Sequence, residues 1–239
     1  SLNILENEFM KQSEHQFEIN KKGDNYLLPK VAWKYKTLKE NKQLTPFELQ
    51  IKITVLDLYG KPKEHMLQES CQMVTINFCP ARCNDPYLDT TRIFAAYVNE
   101  DHPEVEMIRK EAIKKGYVNE FYGGTKYEEV EAIWRVLIDR GIKYSSITDT
   151  SHSQEIQNLW GQHIRLAGDV VDSEQANCAD GSVFMASILK KIDFDVSLIL
   201  VPGHMFISID NIDGYGRIYI ETTTVGNGMG LKNALKSDE

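Results

Sequence analysis

Clusters of basic residues and long apolar runs are both missing from this sequence of 239 residues. Acidic residues outnumber basic ones by 35 to 27, which gives a net charge of −8, and no basic run is longer than two residues. A nucleic-acid partner needs clustered lysines and arginines against its phosphates, so we expect none. No apolar run approaches the roughly 18–20 residues that span a bilayer, and no membrane span is predicted.

Cysteine is also scarce, and its spacing gives only a weak metal signal. The four cysteines are Cys71, Cys79, Cys83 and Cys178. The first three could bind zinc with His65 or His102 as a fourth ligand, yet no C-x2-C pair is present, so no metal or other cofactor is predicted. A disulfide among them is an alternative if the protein is exported. Unreactive, half-buried thiols are the favoured interpretation.

The first part of the chain shows mainly extended patterns. Residues 1–22 mix apolar and charged side chains and indicate a short helix or a loose leader. Polar and apolar residues then alternate over 32–36 and again over 47–55. A period of two is typical of a half-buried antiparallel strand, so both stretches are predicted to be extended.

A turn, a further strand and a break complete this N-terminal pattern. Residues 59–62 supply the turn, 73–78 read as another strand, and Pro80 and Asp85-Pro86 end the extended run. We therefore predict a small sandwich-like β module over residues 1–88, or a sheet docked on the C-terminal part of the chain.

The pattern changes to a helical period after this module. Three helices are predicted, at residues 103–116 with Pro103 in the first helical position, 128–140 and 179–191. Three strands come after them, at 196–201, 204–209 and 217–221. Helices followed by an antiparallel sheet indicate an α+β domain, to which we assign residues 89–239.

Cys178 stands directly before the third predicted helix. A thiol at a helix N-terminus faces unpaired backbone N–H groups and the positive end of the helix dipole, which favour a thiolate. The dipole contributes only about 0.3–1 kcal/mol, and Asp180 opposes the thiolate. The helix alone is therefore not enough, and an imidazole partner is needed.

His204 and Glu221 are the best candidates to complete the site. His204 opens a strand after the turn Pro202-Gly203, and Glu221 ends the next strand. A two-residue turn at 212–213 pairs them directly, whereas one at 213–214 leaves Glu221 diagonal to His204 on the same face. Either register lets the carboxylate orient the imidazole, while an odd loop or a bulge separates the two side chains.

These residues resemble the bacterial transglutaminase-like domain proteins, whose core is papain-like. The similarity is carried by the runs Asn177–Ser182, Val201–Phe206 and Ile220–Thr223, and it extends back through Phe94–Asn99 and Gln162–Arg165, from about residue 90 to about residue 225. The chain departs from the family in having Ala176 where a glycine is frequent and Glu221 where an aspartate is usual.

The resemblance implies a papain-like catalytic domain with Cys178, His204 and Glu221 as its triad. It also implies an oxyanion site made by the Cys178 backbone N–H and a side-chain donor, for which Gln175 and Trp160 are candidates. Asp180 is expected to cap the helix, and Arg165 to pair with an acid under the site. The implied activity is acyl transfer on peptide or glutamine-type amides, with hydrolysis favoured over cross-linking.

The main alternative is a catalytically degenerate fold that binds peptides or partner proteins, with the N-terminal strands as its contact surface. A structural zinc module at the three clustered cysteines is a weaker one. The chain begins at Ser1 rather than at a methionine, so a removed export signal, and a place outside the bacterial cytoplasm, is an expectation that leaves the compartment open.

Overall fold

Two compact units make up the chain, Ser1–Ile76 and Asn77–Glu239. The computed structural model describes residues 1–19, 23–57, 59–84, 89–146, 154–156, 159–210, 213–214, 216–227 and 229–237. The division falls before the strand that begins at Phe78, because that strand pairs within the second unit. The boundary expected from sequence lay later, after residue 88, and part of that predicted break, Asp85-Pro86, lies outside the described residues.

The first unit is built around an antiparallel sheet. Its elements in chain order are β1 (Leu2–Ile4), β2 (Met10–Lys11), β3 (Ser13–His15), β4 (Ala32–Trp33), α1 (Tyr35–Glu40), β5 (Thr45–Leu56) and β6 (Pro62–Met73). The sheet has the order β3-β1-β5-β6, and β2 pairs with β4 in a separate ribbon. One apolar cluster contains Phe9, which precedes β2, together with Leu38 of α1 and Leu49 of β5. One face of the sheet is thus covered by the ribbon and the short helix.

Several N-terminal predictions were wrong. Residues 1–19 contain β1, β2 and β3 rather than a helix or loose leader, and the predicted strand over 32–36 ends at Trp33, where α1 soon begins. The strand expected over 73–78 is displaced, since β6 ends at Met73 and the next strand starts at Phe78. The prediction over 47–55 is confirmed by β5. The misplaced elements are short or mostly exposed, so their side chains carry no clear periodicity.

The second unit mixes helices with several sheets, which makes it an α+β structure. Its elements are β7 (Phe78–Cys83), a 3₁₀ helix (Thr91–Tyr97), α2 (Pro103–Lys114), α3 (Lys126–Asp139), β8 (Lys143–Tyr144), β9 (Gln154–Ile156), β10 (Leu159–His163), α4 (Ala167–Ser173), β11 (Gln175–Ala176), α5 (Cys178–Lys191), β12 (Val196–Val201), β13 (His204–Asp210), β14 (Arg217–Ile220), a second 3₁₀ helix (Thr222–Thr224), α6 (Leu231–Ala234) and β15 (Leu235–Ser237). The main sheet is antiparallel, in the order β12-β13-β14-β15.

The three helices predicted from sequence are confirmed as α2, α3 and α5. Pro103 is the first residue of α2, where its fixed φ and missing N–H are tolerated. Thr125 and Glu128 form a reciprocal capping box at the start of α3. The three predicted strands are confirmed as β12, β13 and β14. These elements were predictable because local caps and apolar spacing specify them.

The core of the second unit lies between α5 and the main sheet. α5 buries most of its length, including Phe184 and Ile188, in the same apolar cluster as Ile207, Ile209 and Ile220 of the sheet. α2 and α3 contribute to that cluster from their own buried faces. The packing fixes the N-terminus of α5 relative to the sheet ends. Among the described helices, none combines the length and the apolar composition needed to cross a bilayer.

Candidate active site

Cys178 is the first residue of α5, at a well-formed helix start. Asn177 is the N-cap, and its side-chain oxygen accepts a hydrogen bond from the Asp180 N–H at 2.9 Å. The Asp180 carboxylate in turn accepts from the Asn177 N–H at 3.1 Å. This reciprocal capping box fixes the backbone that carries the half-buried Cys178 side chain. The expectation that Asp180 caps this helix is confirmed.

The negative charge of Asp180 is compensated by Arg165. Arg165 Nη1 lies 2.9 Å from Asp180 Oδ2, and the Arg165 backbone N–H donates to Oδ1 at 2.8 Å. The carboxylate is 1% exposed and the guanidinium 12% exposed, so the pair is buried. The expected pairing of Arg165 with an acid is confirmed. Because the charge is neutralised locally, Asp180 opposes a thiolate at Cys178 less than its position in the sequence suggested.

The sheet brings His204 and Glu221 together. β13 and β14 pair Ile207 with Ile220, where β14 ends, and Glu221 follows as the N-cap of the second 3₁₀ helix. This register is the one expected from a turn at 213–214, so the alternative register, which paired His204 directly with Glu221, was wrong. His204 Nε2 lies 2.6 Å from Glu221 Oε2. We call these two residues the His–Glu dyad.

Glu221 is held as a carboxylate by several donors. Thr223 donates to its Oε1 from the backbone N–H at 3.1 Å and from the hydroxyl at 2.7 Å. Burial alone raises the pKa of Glu221, but the hydrogen bonds from His204 and from Thr223 outweigh it and hold the pKa below its ordinary value. An ionised carboxylate only accepts hydrogen bonds, so Nε2 of His204 carries the proton and Nδ1 is the nitrogen that can act as a base.

The start of α5 packs against the ends of the strands that carry the dyad. Ala179, next to Cys178, shares a buried apolar cluster with Met205, next to His204. Ser182 and Thr222 hydroxyls lie 3.2 Å apart in a buried hydrogen bond. Each candidate catalytic residue therefore has a chain neighbour in this buried region: Ala179 for Cys178, Met205 for His204 and Thr222 for Glu221. Within the described part of the chain, however, no hydrogen bond joins the Cys178 sulfur to the His204 ring.

The two oxyanion candidates lie on short strands outside the dyad. Gln175 is exposed on β11, where it pairs with Lys143 of β8 in a parallel ladder. Trp160 lies half-buried on β10, and the Arg82 guanidinium carbon is 5.4 Å from its ring centroid. No hydrogen bond between described residues links either side chain to Cys178. Their predicted role as oxyanion donors stays a prediction.

Cys71, Cys79 and Cys83 are the candidate zinc ligands. Cys71 lies in the first unit, while Cys79 and Cys83 lie in β7 of the second. All three are described as thiols outside any disulfide, and burial raises the pKa of Cys79 to about 12, which keeps it protonated. In the ranges that the structure describes, no group of three His, Cys, Asp or Glu side chains is arranged to hold a metal ion.

Two positioning residues were not predicted. Thr223 holds the dyad's carboxylate with two hydrogen bonds, and Asn177 supplies the N-cap before the candidate nucleophile. Asn177 was detectable, since Asn followed three residues later by an acid marks a helix start. The role of Thr223 depends on the backbone turn after β14, which sequence pattern does not specify.

No protein family, curated protein or solved structure matches this chain.

Proposed function

We propose that the second unit is a thiol-dependent acyl-transfer enzyme of the transglutaminase-like, papain-like kind, acting on peptide or glutamine-type amides. Cys178 is its nucleophile, His204 its general base and acid, and Glu221 the carboxylate that orients His204. Hydrolysis is the favoured outcome over cross-linking. The oxyanion is held by the Cys178 backbone N–H, with Gln175 or Trp160 as the second donor.

The observation that carries this proposal is the 2.6 Å contact between His204 Nε2 and Glu221 Oε2 beside the helix start that holds Cys178. A His–carboxylate pair fixes the tautomer of the ring and stabilises the imidazolium that forms during catalysis. The roles of the two ring nitrogens of His204 also support the proposal, because Nε2 contacts Glu221 and Nδ1 is left to accept the proton of the thiol.

In the proposed reaction the Cys178 thiol transfers its proton to Nδ1 of His204, and the sulfur forms a bond to the amide carbonyl carbon. The C–N bond then breaks, and the imidazolium gives the proton to the departing amine, leaving a thioester on Cys178. Water next attacks the thioester with His204 as base, which releases a carboxylic acid and restores the thiol. In the reacting complex the sulfur must lie within hydrogen-bond reach of Nδ1, and sites without substrate are frequently looser than reacting ones.

A peptide-binding module without turnover is the second candidate. It is favoured by one observation, namely that no hydrogen bond between described residues joins the Cys178 sulfur to His204. In that case the dyad is a half-buried structural contact, and the thiol is no more reactive than the other cysteines of the chain.

Site-resolved alkylation separates the two candidates. The intact protein is treated with iodoacetamide at pH 6, and each cysteine-containing peptide is quantified by mass spectrometry, so Cys71 and Cys83 serve as internal references. If the protein is an enzyme, we expect Cys178 to react at least about tenfold faster than either reference cysteine, because a thiolate is the reacting species. Equal, slow alkylation of all three supports the binding module.

Turnover provides the second half of the test. Glutamine-containing peptides are incubated with the wild-type protein and with Cys178→Ala, using Cys71→Ala as the matched control, and amide hydrolysis is followed by mass. Turnover that disappears only in Cys178→Ala supports the mechanism. Turnover retained in that variant rules it out.

A further inference from the structure

A cavity of about 640 Å³ lies in the second unit, and its described lining includes neither residue of the His–Glu dyad. It is formed by the first 3₁₀ helix, the C-terminal half of α5 and strand β12. Its apolar wall includes Ala95, Val98, Leu198 and Leu200. This volume is in the range of pockets that bind small molecules or side chains.

Two charged residues stand among the described residues that line this cavity, and both are positive, although the chain carries a net charge of −8. They are Arg92, from the 3₁₀ helix, and Lys190, from the end of α5. Among the described residues each has one long contact to an acid outside the cavity: Arg92 Nε lies 3.5 Å from Asp89, and Lys190 Nζ lies 3.7 Å from Glu100. Both cations are well exposed, at 89% and 49% of their side-chain surface, so an anionic ligand can compete for them.

The cavity and the candidate active site lie along the same two elements. α5 begins with Cys178 and reaches Lys190 twelve positions later, a rise of about 18 Å. On the sheet, Leu200 of the cavity wall pairs with Met205, the residue after His204. β12 is the outer strand of the described sheet. An extended chain that runs along β12 from the dyad therefore enters the cavity.

We propose that this cavity binds an acidic side chain of a peptide substrate, about five residues from the amide that Cys178 attacks. An extended peptide advances about 3.3 Å per residue, so about five residues cover the rise from Cys178 to Lys190. Arg92 and Lys190 contact the carboxylate, and the wall formed by Leu198 and Leu200 contacts the apolar part of the peptide. The peptide lies along the outer edge of β12, as an added strand does. The inference rests on the proposed function, since it places the reacting amide at Cys178.

The test is direct binding to the full chain carrying Cys178→Ala, so that no turnover interferes. The probes are fluorescein-labelled peptides that contain one glutamine and either Glu or Lys five residues from it, made with that residue on each side of the glutamine. Fluorescence anisotropy at low salt is expected to show the Glu peptide binding about threefold to tenfold more tightly in one of the two directions. Added salt is expected to reduce the difference.

Charge reversal locates the preference. Arg92→Glu with Lys190→Glu, in the same background, is expected to remove or invert the preference for the Glu peptide. The control carries Lys114→Glu, an exposed lysine on α2 outside the cavity, and is expected to keep the preference. Circular dichroism confirms that each variant is folded.

Equal binding of the Glu and Lys peptides in both directions overturns the inference, as does a preference that survives in the double reversal or disappears in the Lys114→Glu control. Failure of the proposed function has a different signature. If Cys178 is unreactive at pH 6 but the charge preference is present, the enzyme is refuted and the cavity remains a peptide site. If Cys178 is reactive and the preference is absent, only the cavity inference falls.

Discussion

Replacing Arg165 by Met tests the buried ion pair that supports the start of α5. The substitution keeps much of the side-chain volume but removes the guanidinium 2.9 Å from Asp180, leaving a carboxylate that is 1% exposed without its counter-charge. Breaking a buried pair in this way costs about 3–5 kcal/mol. Two backbone N–H donors, from Arg165 and Asn177, still reach the carboxylate, so we expect a somewhat smaller cost, about 2–4 kcal/mol.

The corresponding fall in Tm is about 5–15 °C for a unit of this size. Arg109→Met is the matched control, because Arg109 makes a 2.9 Å contact with Glu106 on the surface of α2. Exposed pairs contribute about 0–1 kcal/mol, so its Tm should fall by no more than a few degrees. Thermal unfolding followed by calorimetry measures both variants. Equal Tm values for the two variants would refute the assignment of Arg165 as the counter-charge of Asp180.

The same substitution has a functional consequence. An uncompensated carboxylate two residues from Cys178 disfavours a thiolate, so Arg165→Met should slow alkylation of Cys178 at pH 6. Adding Asp180→Asn to Arg165→Met removes the unpaired charge and should restore part of both the Tm and the alkylation rate. A double variant that is slower and less stable than Arg165→Met alone contradicts this account of the pair.

Single contacts elsewhere in the second unit give three more predictions. Burial raises the pKa of Glu129 above its unfolded value, so the stability that its protonated form contributes is lost as the pH rises through the folded pKa. Glu129→Gln should therefore raise the Tm at pH 7 but not at pH 4. An unchanged Tm at pH 7 contradicts this. Gly161→Ala places a methyl group against the ring of Phe78, closer than van der Waals contact allows, and should cost about 1–3 kcal/mol, seen as a lower Tm. An unchanged Tm shows that the ring moves freely. Thr223→Val removes a hydroxyl donor from the dyad's carboxylate and should slow Cys178 alkylation severalfold. Thr224→Val should not, because the Thr224 hydroxyl donates to the Glu221 backbone carbonyl and not to the carboxylate. Equal alkylation rates in the two variants contradict a positioning role for Thr223.

Much of the second unit was predictable because its signals are local. α2 begins at Pro103 and α3 follows the N-cap Thr125, both standard N-terminal signals, and the apolar spacing of each helix matches its buried face. The strands β12 to β14 are marked by apolar runs separated by turns. The same-face placement of His204 and Glu221 came from strand geometry, because any even loop preserves it.

The first unit was less predictable because its pairings are long-range and its strands are exposed. β1 pairs with β5, so that Ile4 lies opposite Ile51. A strand of three residues is too short for its sequence to identify a partner so far along the chain. β6 is exposed over most of its length, and its side chains therefore lack the polar–apolar alternation that marks a half-buried strand. In the second unit, β7 and β10 were missed as a pair for the same reason, since the contact of Gly161 with Pro80 crosses a long stretch of chain.

The local parts of the candidate site were predictable from the sequence, but the distance between the Cys178 sulfur and the His204 ring was not. The N-cap before Cys178 and the hairpin that carries His204 are set by nearby residues. The approach of the sulfur to the imidazole depends on how α5 packs on the sheet and on the rotamer of one side chain. Those are tertiary properties, and no sequence spacing determines them.

The most direct test of the central claim is the rate of Cys178 alkylation in wild-type protein and in His204→Gln, measured at pH 6 on the intact, folded chain. If Cys178, His204 and Glu221 act as one catalytic unit, loss of the imidazole should slow the reaction of Cys178 at least about tenfold, while Cys71 and Cys83 react as before. An unchanged Cys178 rate in His204→Gln would contradict the account, because the thiol would then owe nothing to the imidazole.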